Sequence, residues 1–250
     1  MFIHRVTEHR HLGEPYMGKH VHLAKYEVYL FDLDGTLLDT SGDIAYAINV
    51  VREGHGLSTL SQAEVEAGVG HGATALLLHC LPLTMHHRID ELREVFTQAY
   101  ASHLCVCTQP YPYADAMLKS LKMDTQKKRV LVTNKPRRFA IPLLDQVGWS
   151  DLFDLCLFGD SLSERKPSSL PIDYALNQLS LEVGQALFIG DTDVDAQAAM
   201  KAGVDLAIVS HGRVAQAVLN GRYGSSASVI ELDQLIYKGK GKEVRQNGFK

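Results

Sequence analysis

The chain has 250 residues, of which 46% are hydrophobic and 22% are charged, with a formal net charge of −4. This composition is typical of a folded globular protein and excludes a chain that is disordered throughout. The sequence has neither an apolar run of about 18 residues nor a signal-peptide pattern, so we expect a soluble cytoplasmic protein without membrane or nucleic-acid partners. Its four cysteines are predicted to be reduced thiols.

The two ends of the chain are predicted to lie outside the folded core. Residues 1–25 are rich in histidine and have little apolar periodicity, which favours a flexible extension over a metal-binding tract. Residues 238–250 carry five basic residues against one acidic residue and contain glycines. Because they lack the regular aromatic interleaving that stacks on nucleic-acid bases, we expect a solvated tail.

Between these ends, short apolar runs alternate with helical patterns. Apolar runs of this length are typical of strands that are buried on both faces of a sheet. Amphipathic segments at residues 137–147 and 194–202, the second ended by Gly203, supply the crossovers that parallel strands need. The pattern predicts a doubly wound α/β core with a parallel sheet. The predicted strands are residues 28–33, 130–133, 155–158, 186–189 and 206–209.

The alternation is interrupted between the first two predicted strands by far more chain than the dozen or so residues that a crossover requires. Apolar residues recur at helical spacing over residues 44–51 and 89–103. We therefore predict an all-helical domain at residues 42–109, inserted between core segments 26–41 and 110–237. Insertions leave a parallel sheet at the carboxyl ends of its strands, where ligands also bind, so the insert is a candidate lid.

Two aspartates lie at the end of the first predicted strand. Asp32 and Asp34 project to the same side of an extended chain, and their carboxylates stay ionised together only if a cation compensates their repulsion. A calcium-binding loop starting at Asp32 would need glycine at its sixth position and glutamate at its twelfth, but Leu37 and Asp43 stand there. An oxygen-rich acidic site of this kind is typical of Mg²⁺.

A second acidic group follows the fourth predicted strand. Asp191 and Asp195 lie four residues apart where a helix begins, so both could face one metal ion, and the helix N-terminus favours their charge. Simple helix capping would account for one of them. Thr133 and Asn134 lie at the end of the second predicted strand. A hydroxyl and backbone N–H groups at this place can hold a phosphoryl oxygen, although an ordinary turn is the alternative. Lys166 precedes a proline and, taken alone, is typical of an exposed loop.

Taken together and in this order, the four pieces resemble the motifs of the haloacid dehalogenase superfamily of phosphotransferases. The resemblance extends over residues 26–211, and the predicted helical insertion looks like the small all-helical cap of that superfamily, of the type called C1. The matching motifs are D-x-D-G-T-L from Asp32 to Leu37, Thr133-Asn134, Lys166-Pro167 and G-D-x-x-x-D from Gly190 to Asp195.

Within the superfamily the chain is similar to phosphoglycolate phosphatases, because it carries V-G-H-G from Val69 and V-T-N-K-P around the second motif. In the cap, Gly70, His71 and Gly72 are expected to approach the substrate, although a helix-initiating turn explains them equally well. The chain departs from the pattern at Glu66, where those phosphatases often carry a basic residue. The sequence therefore leaves open whether a substrate carboxylate is recognised.

The resemblance implies a mechanism. Asp32 would attack phosphorus and form an aspartyl phosphate, and Asp34 would protonate the leaving alkoxide and then accept a proton from the attacking water. Lys166, the Thr133 hydroxyl and the Asn134 backbone N–H would stabilise the transferring phosphoryl group.

The resemblance also implies a metal cofactor. Mg²⁺ would be held by the side chain of Asp32, the backbone carbonyl of Asp34 and the side chain of Asp191. Asp195 would lie behind these ligands and orient a bound water or Lys166. The choice between Mg²⁺ and Mn²⁺ stays open, as does the choice between a monomer and a homodimer.

The expected function is Mg²⁺-dependent hydrolysis of a small phosphomonoester, with 2-phosphoglycolate as the first candidate. The strongest alternative is a phosphatase for a sugar phosphate, a nucleotide or pyrophosphate. A phosphomutase of the same superfamily often has glutamate before the fourth-motif aspartate, and Gly190 in that place favours hydrolysis. A non-catalytic binding module would be expected to have lost catalytic residues, but every expected residue is present.

Overall fold

The computed structural model describes residues 25–224 and 227–236. The predicted N-terminal extension, apart from Lys25, and the predicted basic tail lie outside these residues. The strands are β1 (Val28–Phe31), β2 (Leu38–Asp39), β3 (Gln109–Pro110), β4 (Lys128–Val132), β5 (Leu155–Leu157), β6 (Ala186–Gly190), β7 (Asp205–Val209) and β8 (Ala227–Ile230). The helices are α1 (Ser41–Glu53), α2 (Gln62–Glu66), α3 (Ala73–Cys80), α4 (Ile89–Ser102), α5 (Ala114–Met123), α6 (Arg137–Gln146), α7 (Leu170–Leu179), α8 (Asp193–Ala202) and α9 (Ala215–Leu219).

A parallel sheet with the strand order β5-β4-β1-β6-β7-β8 forms the centre of the molecule, and β2 pairs antiparallel with β3. The predicted doubly wound α/β core is confirmed. The sequence prediction missed β8 because this strand lies at the edge of the sheet and alternates buried with half-buried residues, so it has no continuous apolar run. It also missed β2 and β3, which have two residues each.

Both faces of the sheet are covered, which explains the apolar character of its strands. Phe31 of β1 belongs to a core cluster with Leu118 of α5, whereas Leu30 belongs to a cluster on the other face with Ile172 of α7. Successive side chains of a strand point to opposite faces, so each inner strand contributes to both clusters. Within the described residues, no helix is long and apolar enough to cross a membrane.

Helices α1 to α4, with their connections, lie between β2 and β3; we call residues 41–102 the helical insert. The insert has its own core, which contains Ile48 of α1, Leu77 of α3 and Leu92 of α4. Phe139, on α6 below the insert, joins this core. The predicted helical stripes therefore face one another, but the division of the chain into separate domains stays a prediction.

A buried carboxylate joins the chain entering the helical insert to the chain leaving it. Asp43 in the first turn of α1 is fully buried, and its oxygens accept hydrogen bonds from the backbone N–H groups of Cys107 (2.7 Å) and Thr108 (3.0 Å), the Thr108 hydroxyl (2.7 Å) and Nδ1 of His103 (3.0 Å). Burial alone would raise the pKa of Asp43, but these hydrogen bonds outweigh burial and lower it. His103, predicted to continue the helical stripe of α4, instead makes this contact.

We expect Asp43→Asn to destabilise the protein by about 2 kcal/mol or more, because an amide nitrogen would face backbone donors and leave them unsatisfied. Chemical denaturation measures the change. The exposed Asp90, whose side chain is 84% accessible beside Arg93, provides the control, since Asp90→Asn should change stability little.

The effect of Asp43→Asn should also depend on pH. A carboxylate with a lowered folded-state pKa stabilises the protein above its unfolded pKa of about 3.9, and this contribution is lost as the pH falls through the lower folded value. The stability difference between wild type and variant should therefore be present at pH 7 and shrink below about pH 4. A difference that is constant across this range would contradict the hydrogen-bonding argument.

Candidate active site

The predicted motifs meet at the carboxyl ends of three adjacent strands. Asp32 follows β1, Thr133 follows β4 and Asp191 follows β6. The strand order reverses at β1, since β4 and β5 lie to one side of it and β6 to β8 to the other. Such a reversal opens a crevice at the strand ends, where ligands of parallel sheets bind.

Lys166 holds two of the predicted carboxylates together. Its ammonium lies 2.8 Å from Oδ1 of Asp32 and 2.7 Å from Oδ1 of Asp195, and the residue is 2% exposed. Burial alone would lower the pKa of Lys166, but the charges of Asp195 and Asp32 outweigh burial and raise it. The lysine therefore remains protonated in the crevice, in contrast to an exposed loop residue.

Asp195 is fully engaged at the start of α8. Its Oδ2 accepts from the backbone N–H groups of Asp191 (3.2 Å) and Thr192 (3.0 Å) and from the Thr192 hydroxyl (2.7 Å), while Oδ1 accepts from Lys166. Burial would raise the pKa of Asp195, but Lys166 and Thr192 lower it overall. Asp195 thus caps the helix and orients the lysine.

The described part of the chain contains one group of at least three acidic, histidine or cysteine side chains that could surround a metal ion. It consists of Asp32, Asp191 and Asp195, whose ligand atoms lie within 4.8 Å of one another. The donors are all carboxylate oxygens, a set that suits a hard divalent cation such as Mg²⁺.

The charges in this group are incompletely compensated. Burial raises the pKa of Asp32 to about 6, although Lys166 opposes the shift. Burial and the charges of Asp195 and Asp32 also raise the pKa of Asp191, against Arg213 and a 3.1 Å hydrogen bond from Thr36. A cation beside Asp32 and Asp191 would favour the ionised form of both.

Gly35 makes the approach of the two strand ends possible. Its φ angle is +84°, and a Cβ atom at this position would lie 2.5 Å from Oδ2 of Asp191. A side chain would therefore be strained by the backbone and would collide with the carboxylate.

Asp34 faces a different cation. Its Oδ1 accepts hydrogen bonds from Nζ of Lys135 at 2.8 Å and from the Thr40 hydroxyl at 2.6 Å. The same Nζ lies 2.7 Å from the hydroxyl oxygen of Tyr100 on α4. The carboxylate thus lies outside the group around Lys166, which leaves the Asp34 backbone carbonyl as the atom predicted to reach a metal.

Asn134 connects three of the predicted segments. Its Nδ2 donates to the backbone carbonyls of Gly70 in the helical insert and Lys166 in the core, both at 2.8 Å. Thr133 precedes it, and the Thr133 hydroxyl accepts from the backbone N–H of Lys135 at 3.1 Å. Both Thr133 and Asn134 are buried.

A cavity of about 80 Å³ lies between the core and the helical insert. Of the three insert residues expected to approach a substrate, Gly70 and Gly72 line the cavity, whereas His71 is exposed and does not. Apart from Tyr100 of the insert, the charged and polar side chains lining it come from the core, and the other insert residues are apolar or glycine. Core residues lining the cavity are Asp32, Asp34, Thr133, Asn134, Lys135, Pro136 and Phe139, and insert residues are Ile44, Val69, Gly70, Gly72, Ala73, Leu76, Phe96 and Tyr100.

The sequence analysis assigned no role to three residues at this site: Lys135, Tyr100 and Arg213. Nε of Arg213 lies 3.3 Å from Oδ2 of Asp191, and its Nη1 donates to the backbone carbonyls of Glu66 (2.5 Å) and Val69 (2.8 Å). Lys135 adjoins the second motif and Arg213 follows a predicted strand, so both positions offered a weak signal. Tyr100 offered none, because it lies within a helical pattern whose orientation depends on tertiary packing.

The chain was compared with known proteins. The family model for haloacid dehalogenase-like hydrolases matches residues 29–209. A phosphoglycolate phosphatase from Chromobacterium violaceum is 34% identical over 88% of this chain and 100% of its own length. An N-acetylmuramic acid 6-phosphate phosphatase from Pseudomonas aeruginosa is 31% identical over 76% of this chain and 84% of its own.

A solved structure has a similar fold. The crystal structure of a predicted phosphoglycolate phosphatase from Haemophilus somnus aligns with a TM-score of 0.76 and 27% identity, covering 84% of this chain and 96% of the other.

We expect Arg213→Met to loosen the loop that joins α2 to α3, because the two backbone carbonyls would lose their shared donor. Hydrogen exchange of the amides in residues 66–72 should become roughly tenfold faster, the equivalent of about one hydrogen bond. Arg138→Met is the matched control: Arg138 also reaches from the core to the insert, where its Nη2 lies 3.2 Å from the Thr97 hydroxyl, away from the acidic group. Equal exchange of this loop in both variants would disprove the attachment.

Proposed function

This chain belongs to the haloacid dehalogenase-like hydrolase family and is a phosphatase, and from that premise we propose that it hydrolyses a small phosphomonoester through an aspartyl phosphate on Asp32, with Mg²⁺ as cofactor. The observation that carries the proposal is the convergence of Asp32, Lys166, Asp191 and Asp195 in one buried crevice beside the cavity.

The surroundings of Asp32 support its role as the nucleophile. It lines the cavity, and Lys166 holds one of its oxygens, which restricts the rotation of the carboxylate. An oxygen of Asp32 would form a bond to phosphorus while the ester oxygen leaves, and water would then displace the aspartate and release phosphate. Covalent catalysis of this kind replaces one slow displacement by two faster ones.

Asp34 is the proposed general acid and base. It lines the same cavity, and Thr40 and Lys135 fix the position of its Oδ1. The second oxygen would give a proton to the leaving alkoxide and later accept one from the attacking water. Asp32 and Asp34 thus have separate roles because different partners hold them.

The remaining groups would stabilise the transferred phosphoryl group. The Lys166 ammonium contacts Asp32 from the loop after β5, and Thr133 and Asn134 at the end of β4 line the same cavity as Asp32. Fixed donors at such a site stabilise charge that develops in the transition state. Mg²⁺ held by Asp32, Asp191 and the Asp34 backbone carbonyl would supply further positive charge toward the phosphoryl oxygens.

We propose 2-phosphoglycolate as the substrate, since the names of several relatives at 33–39% identity specify this compound. A phosphorylated sugar is the second candidate. The name of the Pseudomonas aeruginosa relative specifies one. In addition, the apolar side chains of Val69, Leu76 and Phe96 on the insert side of the cavity would contact the C–H groups of a sugar ring.

We expect Asp32→Asn to lower phosphate release from a phosphomonoester at least about a thousandfold, because an amide does not form the covalent intermediate. Asp193→Asn provides the matched control within the fourth motif. Asp193 accepts a hydrogen bond from the Tyr223 hydroxyl, away from the crevice, so this variant should retain near-wild-type turnover. Substantial hydrolysis by Asp32→Asn would eliminate this residue as the nucleophile.

Saturating Mg²⁺ should raise the melting temperature by about 5 °C or more at pH 7.5, where the metal would neutralise buried carboxylates. Because the metal-free pKa of Asp32 is raised to about 6, a proton occupies this carboxylate at pH 5 and must be displaced. The stabilisation should therefore be smaller at pH 5 than at pH 7.5. Asp191→Asn should lose most of the shift, and an undiminished shift in this variant would place the metal elsewhere.

A further inference from the structure

The ammonium of Lys135 is buried between the core and the helical insert. The residue is 7% exposed, and its Nζ contacts Oδ1 of Asp34 and the hydroxyl oxygen of Tyr100 at 2.8 Å and 2.7 Å. Burial alone would lower the pKa of Lys135, but the charge of Asp34 and the Tyr100 contact outweigh burial and raise it. The 2.8 Å ion pair with Asp34 favours the positively charged form of the Lys135 side chain.

Two hydrogen-bond donors at this contact are available for a ligand. An ammonium has three N–H groups, and within the described residues two of them are used, by Asp34 and Tyr100. The Tyr100 oxygen accepts from Lys135, so its own O–H remains free to donate. Burial also raises the pKa of Tyr100 to about 12, which keeps the phenol protonated at neutral pH.

The rest of the cavity offers little to a charged leaving group. Among the described residues that line it, Lys135 carries the only positive charge. The insert side presents Val69, Leu76 and Phe96, against which an anion would be poorly solvated. An anionic group on the leaving part of the substrate would therefore be directed to Lys135.

We propose that Lys135, oriented by Tyr100 of the helical insert, binds a carboxylate on the leaving group and thereby selects small phosphorylated 2-hydroxy acids. The inference rests on the proposed function, because it places the ester oxygen beside Asp34. In a 2-phosphorylated acid, one carbon atom separates the ester-bearing oxygen from the carboxyl carbon. A carboxylate at that separation reaches the cation that lies 2.8 Å from Asp34.

In this arrangement a substrate carboxylate is recognised although Glu66 stands where related phosphatases often carry a basic residue. The cation would come from the core, next to the second motif, and not from the loop of the insert. Tyr100 would be a positioning residue whose contact with Lys135 forms only when the insert lies against the core. Charge-assisted hydrogen bonds to a carboxylate are among the stronger polar contacts in proteins.

The experiment compares 2-phosphoglycolate with 2-hydroxyethyl phosphate, which has a similar size but a hydroxymethyl group in place of the carboxylate. Wild type should prefer the acid at least about tenfold in kcat/KM, the discrimination of one charge-assisted contact. Lys135→Gln should bring the ratio to within about twofold, whatever its effect on overall turnover, and Lys135→Arg should restore part of the preference. Arg138→Met, the control already used, should keep the wild-type ratio.

The outcomes separate this inference from the proposed function. If wild type hydrolyses both compounds equally, or if Lys135→Gln keeps the preference, carboxylate recognition by Lys135 is wrong while phosphatase activity stands. If wild type hydrolyses neither, both the proposed substrate and this inference are wrong.

Two further variants keep the test decisive. Should Lys135→Gln fail to fold, as judged by circular dichroism, Tyr100→Phe removes only the hydroxyl and should reduce the preference by a few-fold. Binding to Asp32→Asn, measured by calorimetry, should show the same preference for 2-phosphoglycolate without turnover. Equal binding of the two compounds would overturn the proposal independently of any rate.

Discussion

The buried contact of Lys166 with Asp32 and Asp195 is the interaction on which the site depends. Carboxylates from two strand ends approach closely only where positive charge compensates their repulsion, and Lys166 supplies that charge from a separate loop. Asp195 in turn is fixed by the start of α8. The position of Asp32, the proposed nucleophile, is therefore set by helix capping, sheet topology and the two ion pairs of Lys166 acting together.

The two aspartates of the first motif contact different lysine side chains. Asp32 contacts Lys166, whereas Asp34 contacts Lys135. Two neighbouring carboxylates with different partners can take different chemical roles, as the proposed nucleophile and the proposed acid and base require. The separation arises because Lys166 lies within the core and Lys135 faces the helical insert.

Three core residues beside the acidic group make polar contacts with the helical insert. Asn134 donates to Gly70, Arg213 donates to the backbone around Val69, and Lys135 contacts Tyr100. Each of the three core residues also contacts a motif residue or another motif segment. The position of the insert and the arrangement of the acidic groups are therefore physically linked. If the insert closes over a ligand, the closure would order both sides of the cavity.

Local sequence patterns were enough to predict the α/β core and to single out the acidic residues, because buried strands appear as apolar runs and the aspartates have a regular spacing at the strand ends. These patterns did not indicate which cation contacts which carboxylate. The contacts of Lys135 with Asp34 and Tyr100 join residues about 35 to 100 positions apart, and such pairs form only when the chain folds. Likewise, Arg213 reaches Asp191 because parallel strands bring their ends together, a consequence of strand order that local pattern does not specify.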